Sequence, residues 1–194
     1  MSNNGGAVYK VVVLGDANTG KTSIIRRYIQ GEFNEVHNVT TLPITQTKKL
    51  NIEKKRVELS IWDTAGSEEW EAMNSSIMNG AQGVVFVASI DNEDSLSNAI
   101  NVWHKKINEH SHRNEYIAFI AINKNDLPEE QRILPMSSTD DAAAEMNARV
   151  FFVSAKTGEN IPELFETIAT SLCQRFTSSV GIADDSINCN CLIL

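Results

Sequence analysis

The residues with the clearest capacity for chemistry are Gly15-Asp16-Ala17-Asn18-Thr19-Gly20-Lys21-Thr22. Their spacing, G-x-x-x-x-G-K-[ST], is that of a phosphate-binding loop. Such a loop converges backbone N–H groups on phosphate oxygens, so Gly15 and Gly20 supply dihedrals that a Cβ would forbid. Lys21 would bring a point charge to the β- and γ-phosphates, and Thr22 a hydroxyl for Mg²⁺. Ala17, Asn18, Thr19 and Ser23 complete the expected phosphate-contacting set. The flanks suit the task. Val11-Val12-Val13-Leu14 reads as a buried strand. Ser23 to Ile29 reads as a helix, with Ile25 and Ile29 four apart. The start of that helix adds unpaired N–H groups and a positive dipole end.

Two later stretches carry polar groups at strand ends. Asp63-Thr64-Ala65-Gly66 offers a carboxylate for the Mg²⁺ shell and a glycine whose backbone N–H can approach a terminal phosphate. Asn123-Lys124-Asn125-Asp126 addresses the base. Guanine presents N1–H and N2–H donors on one edge, and a fixed carboxylate at Asp126 accepts both, whereas adenine has no such pair. A carboxylate held in a closed site rejects the wrong base because its lone pairs are then left unmatched. Asn123 would tie the base edge to neighbouring loops, and the aliphatic stem of Lys124 would cover the ring.

The elements that must position these residues follow from periodicity. Residues 44–52 and 56–62 read as a half-buried antiparallel pair, with Val57, Leu59 and Ile61 alternating with polar residues. Residues 83–88, 117–122 and 150–153 are short apolar runs, hence buried strands. Leu96, Ala99, Ile100, Trp103 and Ile107 fall at helical spacing, which makes Trp103 a core residue. Residues 127–136 read as a loop and 138–147 as a helix. Asn160-Ile161-Pro162-Glu163 opens the last helix, whose apolar face is Ile161, Leu164, Phe165, Ile168 and Leu172. Strands alternating with helices predict an α/β fold with a mostly parallel sheet. Ligands of such sheets sit beyond the carboxyl ends of the strands, so the three polar stretches converge on one site.

Composition narrows the function. The 194 residues suffice for one domain and a tail: a leader at 1–7, a domain at 8–176 and a flexible tail at 177–194. A net charge of −8 argues against nucleic acid. The chain has no apolar run of transmembrane length and no charged-then-apolar signal pattern. Cys173, Cys189 and Cys191 make neither a disulfide framework nor a paired metal spacing, so the cytosol is the expected compartment.

With Ser154-Ala155-Lys156 added, these motifs in this order resemble the Ras superfamily of small GTPases over residues 8–176. Tyr9 to Asp16 and Trp62 to Gly66 are most similar to the Rab branch. The resemblance implies a P-loop NTPase fold with a six-stranded sheet, one strand antiparallel, and helices on both faces. It implies GTP/GDP and Mg²⁺ as ligands. Phe33 would lie against the guanine, and Thr41, eight residues on, would ligate Mg²⁺ beside Thr22 and, through water, Asp63. Ser154, Ala155 and Lys156 would support the base, with the Ala155 N–H directed at its O6. Lys21, Thr41, Gly66 and the residue after Gly66 would serve hydrolysis.

Departures from the family pattern are equally specific. Ser67 stands where the family has the glutamine that orients the attacking water, which predicts slow intrinsic hydrolysis and a bias toward the GTP form. Activating proteins of the two-finger kind, which bring both Arg and Gln, would still function. Leu42-Pro43-Ile44-Thr45-Gln46 replaces Ile-Gly-Val-Asp-Phe, Ile77-Met78-Asn79-Gly80 replaces Tyr-Tyr-Arg-Gly, and Glu69 and Trp70 stand for Arg and Phe. Trp62 alone remains of the aromatic effector trio, so ordinary Rab effectors should bind poorly. Asn18 stands where Gly is preferred, but Asn tolerates positive φ.

The tail closes on Cys191-Leu192-Ile193-Leu194, a C-a-a-X pattern that predicts geranylgeranylation of Cys191, with Cys189 open to a prenyl or palmitoyl chain. One lipid anchors weakly and no basic patch assists it. The expectation is therefore a monomeric, membrane-associated GTP/GDP switch of vesicle trafficking on a cytoplasmic membrane face. An exchange factor, a GTPase-activating protein, a GDP-dissociation-inhibitor-like chaperone and effectors would be its partners. The alternative is a GTP-locked recruitment module with negligible turnover.

Overall fold

The computed structural model describes residues 6–35, 44–64, 76–110 and 116–177. Six strands form one sheet: β1 (Ala7–Leu14), β2 (Ile44–Ile52), β3 (Lys55–Asp63), β4 (Gly83–Ser89), β5 (Ile117–Asn123) and β6 (Arg149–Phe152), in spatial order β2-β3-β1-β4-β5-β6. β2 runs antiparallel to β3, with Ile44 opposite Asp63 and Ile52 opposite Lys55. All other pairings are parallel, as α/β periodicity requires.

β1 and β4 are buried on both faces, and their alternate residues enter two cores. Val11 and Val13 of β1 join Val85, Phe119, Ile24 and Phe165 on one side of the sheet, while Val12 and Leu14 join Phe86, Ile120, Trp103 and Met146 on the other. The first core is roofed by α1 (Lys21–Gln30) and α4 (Ile161–Thr177). The second is roofed by α2 (residues 93–110) and by α3 (Met136–Met146). The helix α2 comprises an α-helical turn pair at Glu93–Asn98, a π-helical stretch at Ala99–His104 and a return to α-helix at Lys105–His110.

The expected boundaries hold to within a few residues, and the differences have local causes. β1 begins at Ala7, which pairs with Val57, so the sheet reaches one residue into the stretch expected as a leader. α3 starts at Met136 because Pro135 adopts an extended φ of −67° and ψ of 139° that feeds a helix, rather than at the first polar residue beyond it. The loop after β5 contains one turn of 3₁₀-helix, Glu129–Gln131. The π-helical stretch has no signature in the 3.6-residue pattern and was not expected.

Candidate nucleotide-binding site

β1, β3 and β5 all release the chain at the same rim of the sheet, and the three motif stretches follow them there. β1 leads into the phosphate loop, whose backbone enters the left-handed region at Asn18 (φ 63°) and Gly20 (φ 95°). A Cβ on Gly15 would meet the Val87 carbonyl oxygen at 2.2 Å, and one on Gly20 would meet the Asn123 side-chain nitrogen at 2.1 Å. Glycine at 15 thus permits close approach to β4, and glycine at 20 permits close approach to the base-reading stretch. The Asn18 dihedral accords with the tolerance expected of that residue.

Lys21 opens α1 and is nearly sealed from solvent. Its ammonium donates to the Gly15 carbonyl at 2.8 Å and the Asp16 carbonyl at 2.7 Å, which lays the side chain back along the loop. Burial pushes its pKa down to about 8 against the opposing attraction of the Asp63 and Asp16 carboxylates. Thr19 Oγ1 donates to the Asp16 carbonyl at 2.9 Å, tightening the same turn.

Asp63 ends β3 with both carboxylate oxygens buried and without a hydrogen-bond partner of good geometry. Burial raises its pKa, while Thr22, Lys21 and Arg26 nearby oppose the rise. A carboxylate at this depth, met only by the Thr22 hydroxyl and the charges of Lys21 and Arg26, is costly unless a further cation reaches it. Among the described residues no group of three or more His, Cys, Asp or Glu could hold a metal ion by itself. The residues present therefore fit a hard cation that takes one hydroxyl from Thr22, reaches Asp63, and completes its shell with phosphate and water oxygens.

Asn123 joins the two halves of the site. Its amide donates to the Thr19 carbonyl at 2.8 Å, and its side-chain oxygen accepts from the Ala155 N–H at 3.0 Å. The expected tie between loops is present. The Ala155 N–H that Asn123 engages is the one the family resemblance directs at guanine O6. Ser154 Oγ donates to Asp126 Oδ1 at 2.6 Å and accepts from the Thr157 N–H at 3.0 Å, so the carboxylate is aimed by a fixed hydroxyl.

Lys124 has a left-handed φ of 66° and sends its ammonium to Asp91, 3.0 Å from Oδ2. That contact anchors the far end of the side chain and leaves its stem along the cleft. Burial pushes the Asp91 carboxyl up, but hydrogen bonds from Ser89 and Lys124 outweigh it and hold the pKa below the usual value. The sign follows: with a depressed folded pKa, Asp91 contributes stability above the ordinary carboxyl range and loses it as the pH falls through the folded value. Asp91→Asn is expected to cost up to about 1 kcal/mol at pH 7 for this half-exposed pair. The cost should vanish once the pH has fallen below the folded value of Asp91. Thermal unfolding of both proteins at the two pH values measures it; a difference that persists in acid contradicts the assignment.

Asn18, Gly20, Ser23, Phe33, Asn123, Lys124, Asp126, Ala155 and Lys156 line one cleft of about 210 Å³, together with Glu35 and Leu127. Ala17 lies exposed at the turn of the phosphate loop. Thr41, Gly66 and Ser67, and the tail cysteines Cys189 and Cys191 with their expected lipids, lie outside the described residues.

Sequence reasoning missed two supports. Arg27 donates to the Ala155 carbonyl at 2.8 Å, to the Lys156 carbonyl, and to the Gly31 carbonyl at 2.7 Å, so α1 holds the base-side loop directly. Its only sequence signal is its position four residues before the helix-closing Gly31. The second support is the side chain of Asp16, bound by α2.

A Ras family model matches residues 10–174, which span the phosphate loop, the base-reading stretch and every strand but the first residues of β1. The chain belongs to the Ras family. Within it, this is a Rab-like small GTPase. It is 36% identical over 174 residues to the Ras-related protein Rab-21 of Homo sapiens, covering 90% of this chain and 74% of that one. It is 32% identical to the Ras-related protein RABE1e of Arabidopsis thaliana over 88% of this chain and 77% of that one. It is 29% identical to the Ras-related protein SEC4 of Saccharomyces cerevisiae over 92% and 82%. The Rab-like fold explains why the three motifs meet at one rim, and no helix among the described residues is long and apolar enough to cross a membrane.

Proposed function

We propose that the cleft of this Rab-like GTPase binds GTP and GDP with Mg²⁺, and that the exchange between them switches a vesicle-trafficking interaction. One observation carries the reading: Asn123 bonds the phosphate loop through Thr19 and the base-side loop through Ala155, while Ser154 aims Asp126 into the same cleft. A phosphate cradle and a guanine-matching acceptor are thereby fixed relative to each other. Asp126 accepts N1–H and N2–H of guanine, the Lys124 stem and Phe33 enclose the ring, and Lys21 leaves its loop carbonyls for the phosphates. Thr22 and Asp63 hold the metal, with Thr41 added in the triphosphate form. When bound there, the metal would supply positive charge against that of the phosphates. Gly66 reports the γ-phosphate through its N–H, and the loops carrying Thr41 and Gly66 relax when that phosphate leaves.

The family relationship supports the general partner set: exchange factor, activating protein, GDP-dissociation inhibitor and effectors. Effector choice is set to differ from that of typical Rabs. The Lys10 ammonium sits 4.5 Å over the Trp62 ring and donates to the Asn79 carbonyl at 2.8 Å, so the retained aromatic is capped by a cation on one face.

Hydrolysis is proposed to be slow because Ser67 lacks the amide that orients water. Positioning effects of this kind reach about a hundredfold. A single-turnover assay on Ser67→Gln is expected to show at least about tenfold faster hydrolysis. Equal rates remove the explanation. The same Ser67 favours a second reading, a GTP-locked recruitment module. Retention of GTP through purification, with no hydrolysis even when an activating protein is supplied, selects it.

A further inference from the structure

Asp16 is the one phosphate-loop carboxylate, and it lies where nucleotide phosphates are expected to bind. Its side chain is nevertheless turned away and fully engaged by another element. Asn98 Nδ2 donates to Asp16 Oδ2 at 2.7 Å, and Trp103 Nε1 donates to Asp16 Oδ1 at 2.8 Å. Trp103 is 3% exposed and packs in the second core, so its indole is a rigid donor.

The two donors are five residues apart on α2. On an ideal α-helix such residues lie about 140° apart and could not grip one carboxylate. The π-helical stretch Ala99–His104 lies between and around them, with Asn98 as its preceding cap and Trp103 inside it. Its i to i+5 hydrogen bonding brings residues five apart onto a common face. The irregularity in the helix and the two-point grip are therefore the same feature. π-bulges concentrate at functional positions.

The grip acts on atoms that matter for nucleotide binding. The backbone of Asp16 carries the carbonyl that receives both the Lys21 ammonium and the Thr19 hydroxyl. Fixing the Asp16 side chain fixes that carbonyl and the N–H groups of the residues that follow. It also holds a negative charge off the phosphate path.

We propose that Asn98 and Trp103 are positioning residues for nucleotide retention: their clamp on Asp16, set by the π-helical stretch, holds the phosphate loop in its binding shape, and opening it releases nucleotide. This deepens the nucleotide reading above and rests on it.

A polarity swap tests the clamp. Asn98→Asp sets two carboxylates against each other, and should speed release of fluorescent GDP from the Mg²⁺-loaded full chain about tenfold or more, since bonds to charged groups are among the stronger ones. The double variant D16N/N98D restores a donor facing an acceptor and keeps an oxygen for Trp103, so release should return to within about twofold of wild type. A general loss of packing would not be repaired by exchanging the two side chains. Release is measured well below the unfolding temperature of every variant.

An independent readout is the Trp103 indole N–H resonance, assigned with Trp103→Phe. It should be downfield and slow to exchange with solvent in the wild type, and shift upfield in Asn98→Asp. A double variant that releases as fast as Asn98→Asp, or an indole N–H that exchanges freely, overturns the clamp. A wild-type chain that retains no guanine nucleotide overturns the nucleotide reading instead and takes the retention role with it, whatever the indole shows.

Discussion

Asp126→Asn is expected to convert a guanosine-selective site into one that prefers xanthosine nucleotides. Guanine offers two donors to the carboxylate. Asparagine can accept from only one of them and turns its own amide donor against the other. Xanthine replaces the 2-amino group by a carbonyl, which that amide matches while the side-chain oxygen still accepts from N1–H. Weakening one charge-assisted bond and setting a donor against the partner of the other costs about 3–6 kcal/mol, or about 10²–10⁴ in GTP affinity. The replacement keeps the shape of the side chain and an oxygen for the Ser154 hydroxyl, so the fold is expected to survive. Competition of GDP and XDP for the purified variant decides the matter. Unchanged preference for GDP would mean that Asp126 does not read the base.

Lys21→Ala is expected to abolish tight nucleotide binding while leaving the sheet intact. The ammonium is buried with its charge disfavoured, as the fall of its pKa to about 8 shows, and its partners in this structure are two backbone carbonyls. A buried, readily moved cation at the foot of a helix N-terminus has its best partner in a phosphate. Removing two charge-assisted contacts should weaken GDP and GTP by about 10²–10⁴. Equilibrium titration with fluorescent nucleotide, alongside circular dichroism to report the fold, measures this. A variant that still copurified with its nucleotide would place the phosphates elsewhere.

The two variants probe opposite ends of one cleft, and Asn123 makes them ends of the same cleft. That side chain touches both the carbonyl before Gly20 and the amide of Ala155, and the absence of a Cβ on Gly20 lets it do so. A single substitution at Gly20 should therefore disturb base and phosphate binding together, unlike changes at Asp126 or Lys21.

Much of this protein was legible in the residues alone. The order of strands and helices followed from apolar runs and helical spacing, because a strand buried on both faces and a helix buried on one must carry those patterns wherever they fold. The phosphate loop, the Asp63 turn and the Asn123–Asp126 stretch were legible because backbone approach and hydrogen-bond matching restrict which residue types can serve. Family likeness supplied Phe33 and the base-side loop, which local pattern did not mark. What the tertiary structure decided was which side chains hold these loops. Asn98 and Trp103 lie far along the chain from Asp16, and Arg27 from the Ala155 and Lys156 carbonyls, and nothing in their helical positions marks them. Trp103 was read as core, and it is; its N–H finds Asp16 only because α2 departs from 3.6-residue geometry at that turn. A periodic pattern records which face of a helix is apolar. It does not record the change of winding that lets two donors five residues apart reach one carboxylate, because that contact exists only once α2 lies against the phosphate loop.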